Sequence, residues 1–194
     1  MATKVYELIA PCHFGLEAVL KREITDLGYE ISKVEDGKVT FLGDAEAICY
    51  ANIFLRTAER ILIKIGSFHA ETFEELFQQT KALEWEMLIP PDGKFTVTGT
   101  SVKSVLHSVP ACQSIVKKAV ATRLGTCYHR QTLPEDGALY QIQFSIMKNT
   151  VSLLLDTTGP GLYKRGYRAV GVAAPLRETL AAALVLLSGY RGRD

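Results

Sequence analysis

The sequence predicts an α+β protein built from two small domains. Its 194 residues are 47% hydrophobic and 22% charged, a composition that favours a folded globular chain and excludes wholesale disorder, collagen and disulfide-rich miniproteins. Strand-like alternation and helix-like periodicity follow one another along the chain in two successive groups. The longest apolar run, residues 180–187, is far shorter than the roughly 20 residues that cross a bilayer. We therefore expect no membrane partner and, since no secretory signal is recognisable, a cytoplasmic protein.

The first group spans residues 1–69 and has the order β-α-β-β-α-β. Asp36-Gly37 favours a hairpin turn between two short strands, and Asp44 is a typical cap for the second helix. Gly28 stands where the first helix should end. This order is the split βαβ pattern of a ferredoxin-like domain. The predicted elements are a strand at 5–10, a helix at 14–27, strands at 30–35 and 38–42, a helix at 45–54 and a strand at 60–67.

The second group spans residues 70–159 and is a second α/β domain. Its first helix should bury Phe73, Leu76 and Phe77, and we expect Trp85 to be a core anchor. We predict that residues 160–194 are a linker and the start of a further domain. The predicted elements are a helix at 72–82, a strand from residue 95, a helix at 111–124 closed by Gly125, and strands at 139–146 and 151–156 joined by Lys148-Asn149.

The net charge of +1 conceals an uneven distribution along the chain. Residues 1–92 hold nine Lys and Arg against sixteen Asp and Glu, whereas residues 93–194 hold thirteen against five. Residues 93–134 contain no acidic residue. A sign bias that persists across several predicted elements favours a polyanionic partner over a merely solvated basic face. The acidic surplus of the first domain argues against direct contact of that domain with nucleic acid.

The helix predicted at 111–124 concentrates this basic character on one face. Its apolar residues gather on one side, and the other side is cationic and built from short residues, which lets an RNA backbone approach closely. The residue before it that fits an N-cap is Ser108, and the free amides there could receive a phosphate or simply be capped. His107 and His129 are either polar loop residues or ligands. The candidate RNA-binding residues of this region are Lys103, His107, Ser108, Ser114, Lys117, Lys118, Arg123 and Arg130.

A second basic cluster consists of Lys164, Arg165 and Arg168, interleaved with Tyr163 and Tyr167. Arginine forks bind phosphate oxygens in pairs, and tyrosine rings offer a face for an unstacked base. The cluster therefore suits single-stranded or irregular RNA. The alternative is an interdomain linker whose arginines pair with carboxylates of a neighbouring domain, and the two roles are compatible.

The four cysteines give no sign of a metal or redox site. Cys12, Cys49, Cys112 and Cys127 are too far apart for any C-x-x-C pair, so we expect buried, reduced thiols. A metal site assembled from Cys112, Cys127 and His129 would lack a fourth ligand. We therefore predict no metal in this chain.

Two segments resemble a known family. Residues 101–124 (SVKSVLHSVPACQSIVKKAVATRL) are similar to the central motif of THUMP domains. Residues 161–168 (GLYKRGYR), followed by residues 174–183 (APLRETLAAA), resemble the junction between a THUMP domain and a Rossmann-like methyltransferase domain. Together they resemble the large-subunit ribosomal RNA guanine-N2 methyltransferases. The resemblance implies a ferredoxin-like domain, an RNA-binding THUMP domain and a catalytic domain that uses S-adenosylmethionine.

The sequence departs from this family after residue 174. The helix at 175–188 would open the methyltransferase domain, but neither a glycine-rich cofactor loop nor an Asn-Pro-Pro-Tyr motif follows, and Gly159-Pro-Gly161 is a turn. We therefore assign no catalytic, cofactor-binding or metal residue, and the cofactor would belong to a longer enzyme. Residues 180–187 would form a helix apolar nearly all round, which needs partners. We expect a missing methyltransferase domain to pack on residues 175–188.

Several functions compete on this evidence. The first is the substrate-binding region of an RNA methyltransferase, with ribosomal RNA favoured over transfer RNA, and the second is a stand-alone, non-catalytic RNA-binding THUMP protein. A THUMP module of another RNA-modifying enzyme, such as a thiouridine synthetase, is disfavoured by the junction at residues 161–168. DNA methylation has no support, because no groove-reading element is apparent. A ferredoxin-like small-ligand sensor is the alternative without nucleic acid.

Overall fold

The computed structural model describes residues 4–166 and 175–190, which divide into two compact units. Unit 1 comprises the described residues of Met1–Ile63 and Thr157–Asp194, and unit 2 comprises Lys64–Asp156. Counted over the full sequence ranges, residues 1–63 and 157–194 carry a net charge of +1 and residues 64–156 a net charge of zero, since nine Lys and Arg balance nine Asp and Glu in the latter. The charge imbalance between the two halves of the sequence therefore does not divide one unit from the other.

Unit 1 has the β-α-β-β-α-β order that the sequence predicts. Its strands pair antiparallel in the order β2-β3-β1-β4, and Ile9 of the central strand faces both Thr40 and Leu62. The unit also contains a short 3₁₀ turn at Leu162–Lys164 and a final helix. The elements are β1 Tyr6–Pro11, α1 Glu17–Asp26, β2 Ile31–Glu35, β3 Lys38–Gly43, α2 Ala45–Phe54, the start of β4 Leu62–His69, and α5 Glu178–Leu187.

Local chemistry explains most of these boundaries. The Asp44 carboxylate accepts a hydrogen bond from the Ala47 amide (3.0 Å) and starts α2, as expected. Gly37 has the positive φ of +73° that the hairpin turn requires. Helix α1 begins at Glu17 rather than at Phe14, because Gly15 is in the left-handed region (φ +86°), and Phe14 is 81% exposed.

The segment after residue 156 returns to unit 1. The Thr158 hydroxyl accepts from the Ile61 amide (2.8 Å), and the Thr157 hydroxyl accepts from the Asn52 side chain (3.0 Å). The Glu59 carboxylate accepts from the Thr179 hydroxyl (2.7 Å) at the start of α5. These bonds explain why the described residues beyond 156 group with the first unit rather than forming a unit of their own.

Unit 2 is a four-stranded mixed sheet with two helices packed on each other. Its strand order is β4-β7-β6-β5, where β5 and β6 are parallel and β6 and β7 antiparallel. Helix α4 is the crossover between the two parallel strands. The elements are the remainder of β4, α3 Phe73–Ala82, a 3₁₀ turn at Trp85–Met87, β5 Lys94–Val102, α4 Val109–Cys127, β6 Leu139–Met147 and β7 Thr150–Asp156.

The core of unit 2 lies between the sheet and the two helices. Trp85 is fully buried, as predicted, and its indole N–H donates to the Thr80 carbonyl (2.8 Å). Gly99 leaves room for β6 beside β5, since a Cβ there would lie 2.3 Å from the Phe144 carbonyl oxygen. Phe95 and Val97 of β5 alternate into this core.

Three predictions about this structure were wrong. Helix α4 continues through Gly125 to Cys127, because the left-handed residue beyond the helix end is His129 (φ +52°), and the Arg130 amide closes the turn on the Gly125 carbonyl (3.0 Å). Phe73 is 42% exposed because it opens α3, while Leu76 is buried. Cys49 is exposed, and of the four thiols Cys12 and Cys112 are buried.

The described residues give two further findings that concern partners. No helix within residues 4–166 and 175–190 is long and apolar enough to cross a membrane. The same residues contain no group of three His, Cys, Asp or Glu side chains placed to hold a metal ion.

Candidate nucleic-acid interface

The exposed side of α4 carries two adjacent lysines. Lys117 and Lys118 are exposed because Val116, Ala119 and Val120 bury the opposite side of the helix. The two ammonium groups lie over aromatic rings, Lys117 Nζ 6.0 Å from the Phe95 ring centroid and Lys118 Nζ 5.7 Å from that of Phe77. Such contacts leave the positive charge available to an anion in solvent. Ser114, also exposed, is the short neighbour that the sequence predicted. We call Ser114, Lys117 and Lys118 the lysine face.

The loop before α4 differs in its hydrogen bonds from the prediction. Ser108 occupies the N-cap position, but its side chain makes no capping hydrogen bond, and Pro110 stands in the first turn instead. His107 is exposed, and its Nδ1 donates to the Val105 carbonyl (2.9 Å). Both side chains therefore lie at the helix start without completing a cap.

Lys103 lies beside a lysine that sequence reasoning missed. Lys103 and Lys148 are both exposed, both have φ of +49°, and the Lys148 amide donates to the carbonyl of Val102 (3.3 Å). Lys148 follows Met147, the last residue of β6, which pairs with Val102, the last residue of β5. The sequence does not mark Lys148 as an RNA contact, because it lies outside residues 93–134, the stretch without acidic residues. Its position in a turn was predicted correctly.

Arg123 has an internal partner. Its guanidinium forms two hydrogen bonds to the Glu86 carboxylate, one of them from Nε to Oε2 at 2.9 Å and the other from Nη2 to Oε1. The arginine lowers the pKa of Glu86 to about 2, and the carboxylate in turn raises the pKa of Arg123. The Tyr128 hydroxyl donates to the Ile89 carbonyl (2.6 Å) beside this pair. Arg123 therefore ties α4 to the Trp85–Met87 turn, whereas Arg130 is exposed.

The second basic cluster is built around a helix end. The Arg165 guanidinium donates to the carbonyl oxygens of Asn52 (3.0 Å), Ile53 (2.5 Å) and Leu55 (2.6 Å), at the C-terminus of α2. Carbonyls at this position lack partners within a helix, and the helix dipole favours a cation there. Lys164 is exposed, with Nζ 5.7 Å from the Tyr163 ring centroid. Arg168, the third predicted contact, and Tyr167 lie outside the described residues.

The described part of α5 has an exposed apolar side. Thr179 and Ala183 are buried, whereas Leu184, Val185 and Leu187 are 56%, 50% and 62% exposed. The α5 helix is therefore incompletely covered, in line with the apolar pattern of its sequence.

Two family models match the chain. The model described as the RlmL ferredoxin-like domain matches residues 7–62, and the THUMP domain model matches residues 70–156. The first match falls in unit 1, and the second falls in unit 2.

Longer relatives are similar to almost the whole chain. The "Putative RNA methyltransferase YpsC" of Bacillus subtilis is 51% identical over 96% of this chain and 49% of its own length. A solved structure from Listeria monocytogenes, described as a "predicted N6-adenine-specific DNA methylase", is 52% identical with a TM-score of 0.92, over 96% of this chain and 49% of that one. The structure of "SMU.472, a putative methyltransferase complexed with SAH" is 43% identical with a TM-score of 0.92, over 98% and 50%. This chain thus spans about half the length of these relatives.

Proposed function

Since residues 7–62 form an RlmL ferredoxin-like domain and residues 70–156 a THUMP domain, we propose that this chain binds and positions RNA for an S-adenosylmethionine-dependent RNA methyltransferase. The favoured substrate is large-subunit ribosomal RNA with guanine N2 as the methylated atom, which rests on the resemblance of residues 101–124 and 161–183. Transfer RNA is the second candidate. The names of the relatives support the methyltransferase class of this proposal.

The proposed RNA contact rests on the lysine face of α4. Lys117 and Lys118 are exposed side by side on one element, whereas Arg123 and Arg165 are held by protein groups. Exposed ammonium groups in a stretch without carboxylates neutralise phosphates and release counterions. Lys103, Lys148, Arg130 and Lys164 are further exposed cations for the same purpose. His107, Ser108 and Ser114 would supply hydrogen bonds to phosphate or sugar.

Within residues 4–166 and 175–190, the glycines near the end of β7 do not fit the cofactor itself. Gly159 and Gly161 lie in an irregular segment after β7, where the Arg60 guanidinium donates to the Gly159 carbonyl (2.6 Å), and not in a strand-to-helix loop of the kind that cradles a cofactor. We therefore derive no chemical step in this chain. In this proposal the reaction belongs to a methyltransferase domain of a longer protein, and this region delivers the RNA.

The exposed side of α5 is the proposed contact with that domain. Leu184, Val185 and Leu187 present an apolar surface that another packed element would bury, and the relatives are about twice as long as this chain. We take α5 as the first helix of the Rossmann-like domain. Hydrogen exchange of the monomeric 194-residue chain should show weak protection of α5. Full protection of α5 in that monomer would contradict its need for a further domain.

The RNA contact is tested with two charge-matched double variants. Lys117→Glu/Lys118→Glu should weaken the binding of a structured ribosomal RNA fragment, measured by fluorescence anisotropy, and flatten the dependence of log K on log salt. Loss of two phosphate contacts should reduce that slope by about 1.4–1.8. Lys4→Glu/Lys21→Glu changes the net charge equally at two exposed positions of unit 1 and should bind like the wild type.

The outcomes separate the competing functions. Equal loss of affinity in both double variants would mean that RNA binding depends on net charge and not on α4. Unchanged binding by Lys117→Glu/Lys118→Glu would mean that α4 does not contact the RNA. Tighter binding of a DNA duplex than of RNA would overturn the RNA assignment. A stand-alone binder remains the alternative, and the intact mass of the native gene product in its own cells separates it from the region of a larger enzyme.

A further inference from the structure

A pocket opens between the first turns of α3 and α4 in unit 2. Its volume is about 550 Å³, and its lining includes Phe73 and Val105 on the apolar side and Glu71, His107 and Ser108 on the polar side. Phe73 and Val105 are 42% and 58% exposed, so the pocket presents uncovered apolar surface at its rim. The volume lies in the range of small-molecule sites.

One asparagine holds the walls of this pocket together. The Asn149 side chain accepts from the Val105 amide (2.8 Å) and donates to Glu71 Oε1 (2.7 Å). Its backbone carbonyl accepts from the Ala70 amide (2.9 Å), and its amide donates to the Ser104 hydroxyl (3.1 Å). The β6–β7 turn thereby fixes both the loop before α3 and the loop before α4. The pocket is consequently preorganised, which lowers the entropic cost of binding.

The start of α3, which lines the pocket, is also fixed by a capping box. The Thr72 hydroxyl accepts from the Glu75 amide (3.1 Å), and the Glu75 carboxylate accepts from the Thr72 amide (3.2 Å). Phe73 is the first residue of α3, directly after this cap. Its ring is therefore carried by a firmly held helix start while remaining partly exposed.

The lining suits a nucleobase better than a phosphate. An aromatic face stacks on a base, and a carboxylate accepts from an exocyclic amino group but repels a phosphate. Asn149 and His69 both contact Oε1 of Glu71. Neither contact uses Oε2, so this second carboxylate oxygen can accept from the amino group of a base. Phosphates flanking the base would meet lysines near the pocket, among them Lys103 at the loop before α4 and Lys148 beside Asn149.

We propose that this pocket holds one unpaired nucleobase of the bound RNA, with Phe73 against its face and Glu71 accepting from an amino group of its edge. The inference rests on the proposed RNA-binding function and adds a subsite to it. A cytosine, which offers its N4 amino group, should bind in preference to a uracil, whose O4 is an acceptor. His107 and Ser108 complete the polar edge of the pocket.

The test uses the full 194-residue chain and three RNA hairpins that differ at one place. One hairpin is fully paired, one has a single bulged cytidine and one a single bulged uridine. The wild type should bind the cytidine bulge most tightly in fluorescence anisotropy. Phe73→Ala should weaken binding of that hairpin about tenfold without changing the fully paired one, since stacking on one ring is typically of this order. Phe73→Tyr should retain the preference.

Two further variants complete the design. Glu71→Gln should equalise the cytidine and uridine bulges, because an amide both accepts and donates. Phe14→Ala removes an aromatic ring that is 81% exposed in unit 1 and should leave all three affinities unchanged. Thermal unfolding of each variant checks that unit 2 remains folded.

The results distinguish the pocket from the RNA-binding function. If Lys117→Glu/Lys118→Glu weakens all three hairpins while Phe73→Ala and Glu71→Gln change nothing, the nucleobase subsite is wrong and the RNA-binding function stands. If the wild type binds none of the hairpins and no ribosomal RNA fragment, the proposed function fails and the subsite fails with it. An equal loss in Phe73→Ala and Phe14→Ala would also overturn the subsite.

Discussion

Two sets of basic residues are used in different ways, arginines of unit 1 that are held by protein groups and exposed lysines on α4 of unit 2. In unit 1, two of the described arginines, Arg56 and Arg165, have protein partners, the Glu23 carboxylate (3.3 Å) for the first and three helix-end carbonyls for the second. In unit 2, Lys117 and Lys118 are exposed, and their ammonium groups lie over the ring faces of Phe95 and Phe77. An arginine fork is well matched to planar acceptors inside a protein, whereas a hydrated ammonium remains available to a solvent-borne phosphate.

A cluster of positive residues in a sequence is therefore not yet a binding surface. Basic residues are denser in residues 161–168 (GLYKRGYR) than in α4, yet Arg165 of this segment donates to a carbonyl oxygen at the end of α2. Arg123 likewise donates to the Glu86 carboxylate. If this distinction holds, changes at these two arginines lower the stability of the fold, and changes at the lysines weaken RNA binding.

Arg165→Ala should have the largest effect on stability. The change leaves carbonyls at the end of α2 without their charged donor and releases the Leu162–Lys164 turn, for which we expect a loss of about 2–3 kcal/mol in the free energy of unfolding. Urea denaturation measures it. Lys164→Ala, one residue earlier and exposed, is the matched control and should be nearly neutral. Equal effects of the two changes would remove the distinction between held and exposed basic residues.

Arg123→Ala should reduce the stability of unit 2 by about 1–2 kcal/mol, because it breaks a two-point ion pair that is only partly exposed. Lys118→Ala should leave stability almost unchanged and weaken RNA binding instead. A double-variant cycle with Glu86→Gln isolates the pair energy. If Arg123→Ala weakened RNA binding more than Lys118→Ala, Arg123 would return to the proposed footprint.

The same ion pair should contribute to acid sensitivity. The folded-state pKa of Glu86 is lowered to about 2 by Arg123, so its contribution to stability is complete above its ordinary pKa near 4.5 and is lost as pH falls toward 2. The stability difference between wild type and Glu86→Gln should therefore be constant near neutrality and shrink from about pH 4.5 downward. A difference that stayed constant to pH 2.5 would contradict the lowered pKa.

Much of the fold could be predicted from local chemistry. Asp44 and Gly37 mark their elements because a helix cap and a positive φ each have strong residue preferences. The end of α4 could not be predicted in this way. Gly125 is the obvious stop residue, but the left-handed residue is His129, and the Arg130 amide closes the turn on the Gly125 carbonyl only after α4 has reached Cys127.

The candidate site was less predictable than the fold. The lysine face follows from helical periodicity alone, and Ser114, Lys117 and Lys118 are exposed as expected. The pairing of Arg123 with Glu86, 37 residues earlier, is a tertiary fact that no local pattern contains. The same holds for Asn149, which looks like an ordinary turn residue and joins three loops only after β5, β6 and β7 have paired.

The smallest expected difference concerns two helix starts within unit 2. Thr72→Ala removes a hydroxyl that accepts from the Glu75 amide and should cost about 1 kcal/mol in the free energy of unfolding. Ser108→Ala should cost at most a few tenths, because the Ser108 side chain makes no capping bond and α4 starts with Pro110 in its first turn. Ser108→Ala should instead weaken RNA binding. An equal loss of stability in both variants would mean that Ser108 is an ordinary helix cap. Its hydroxyl would then be engaged by the backbone and would not be available to bind RNA.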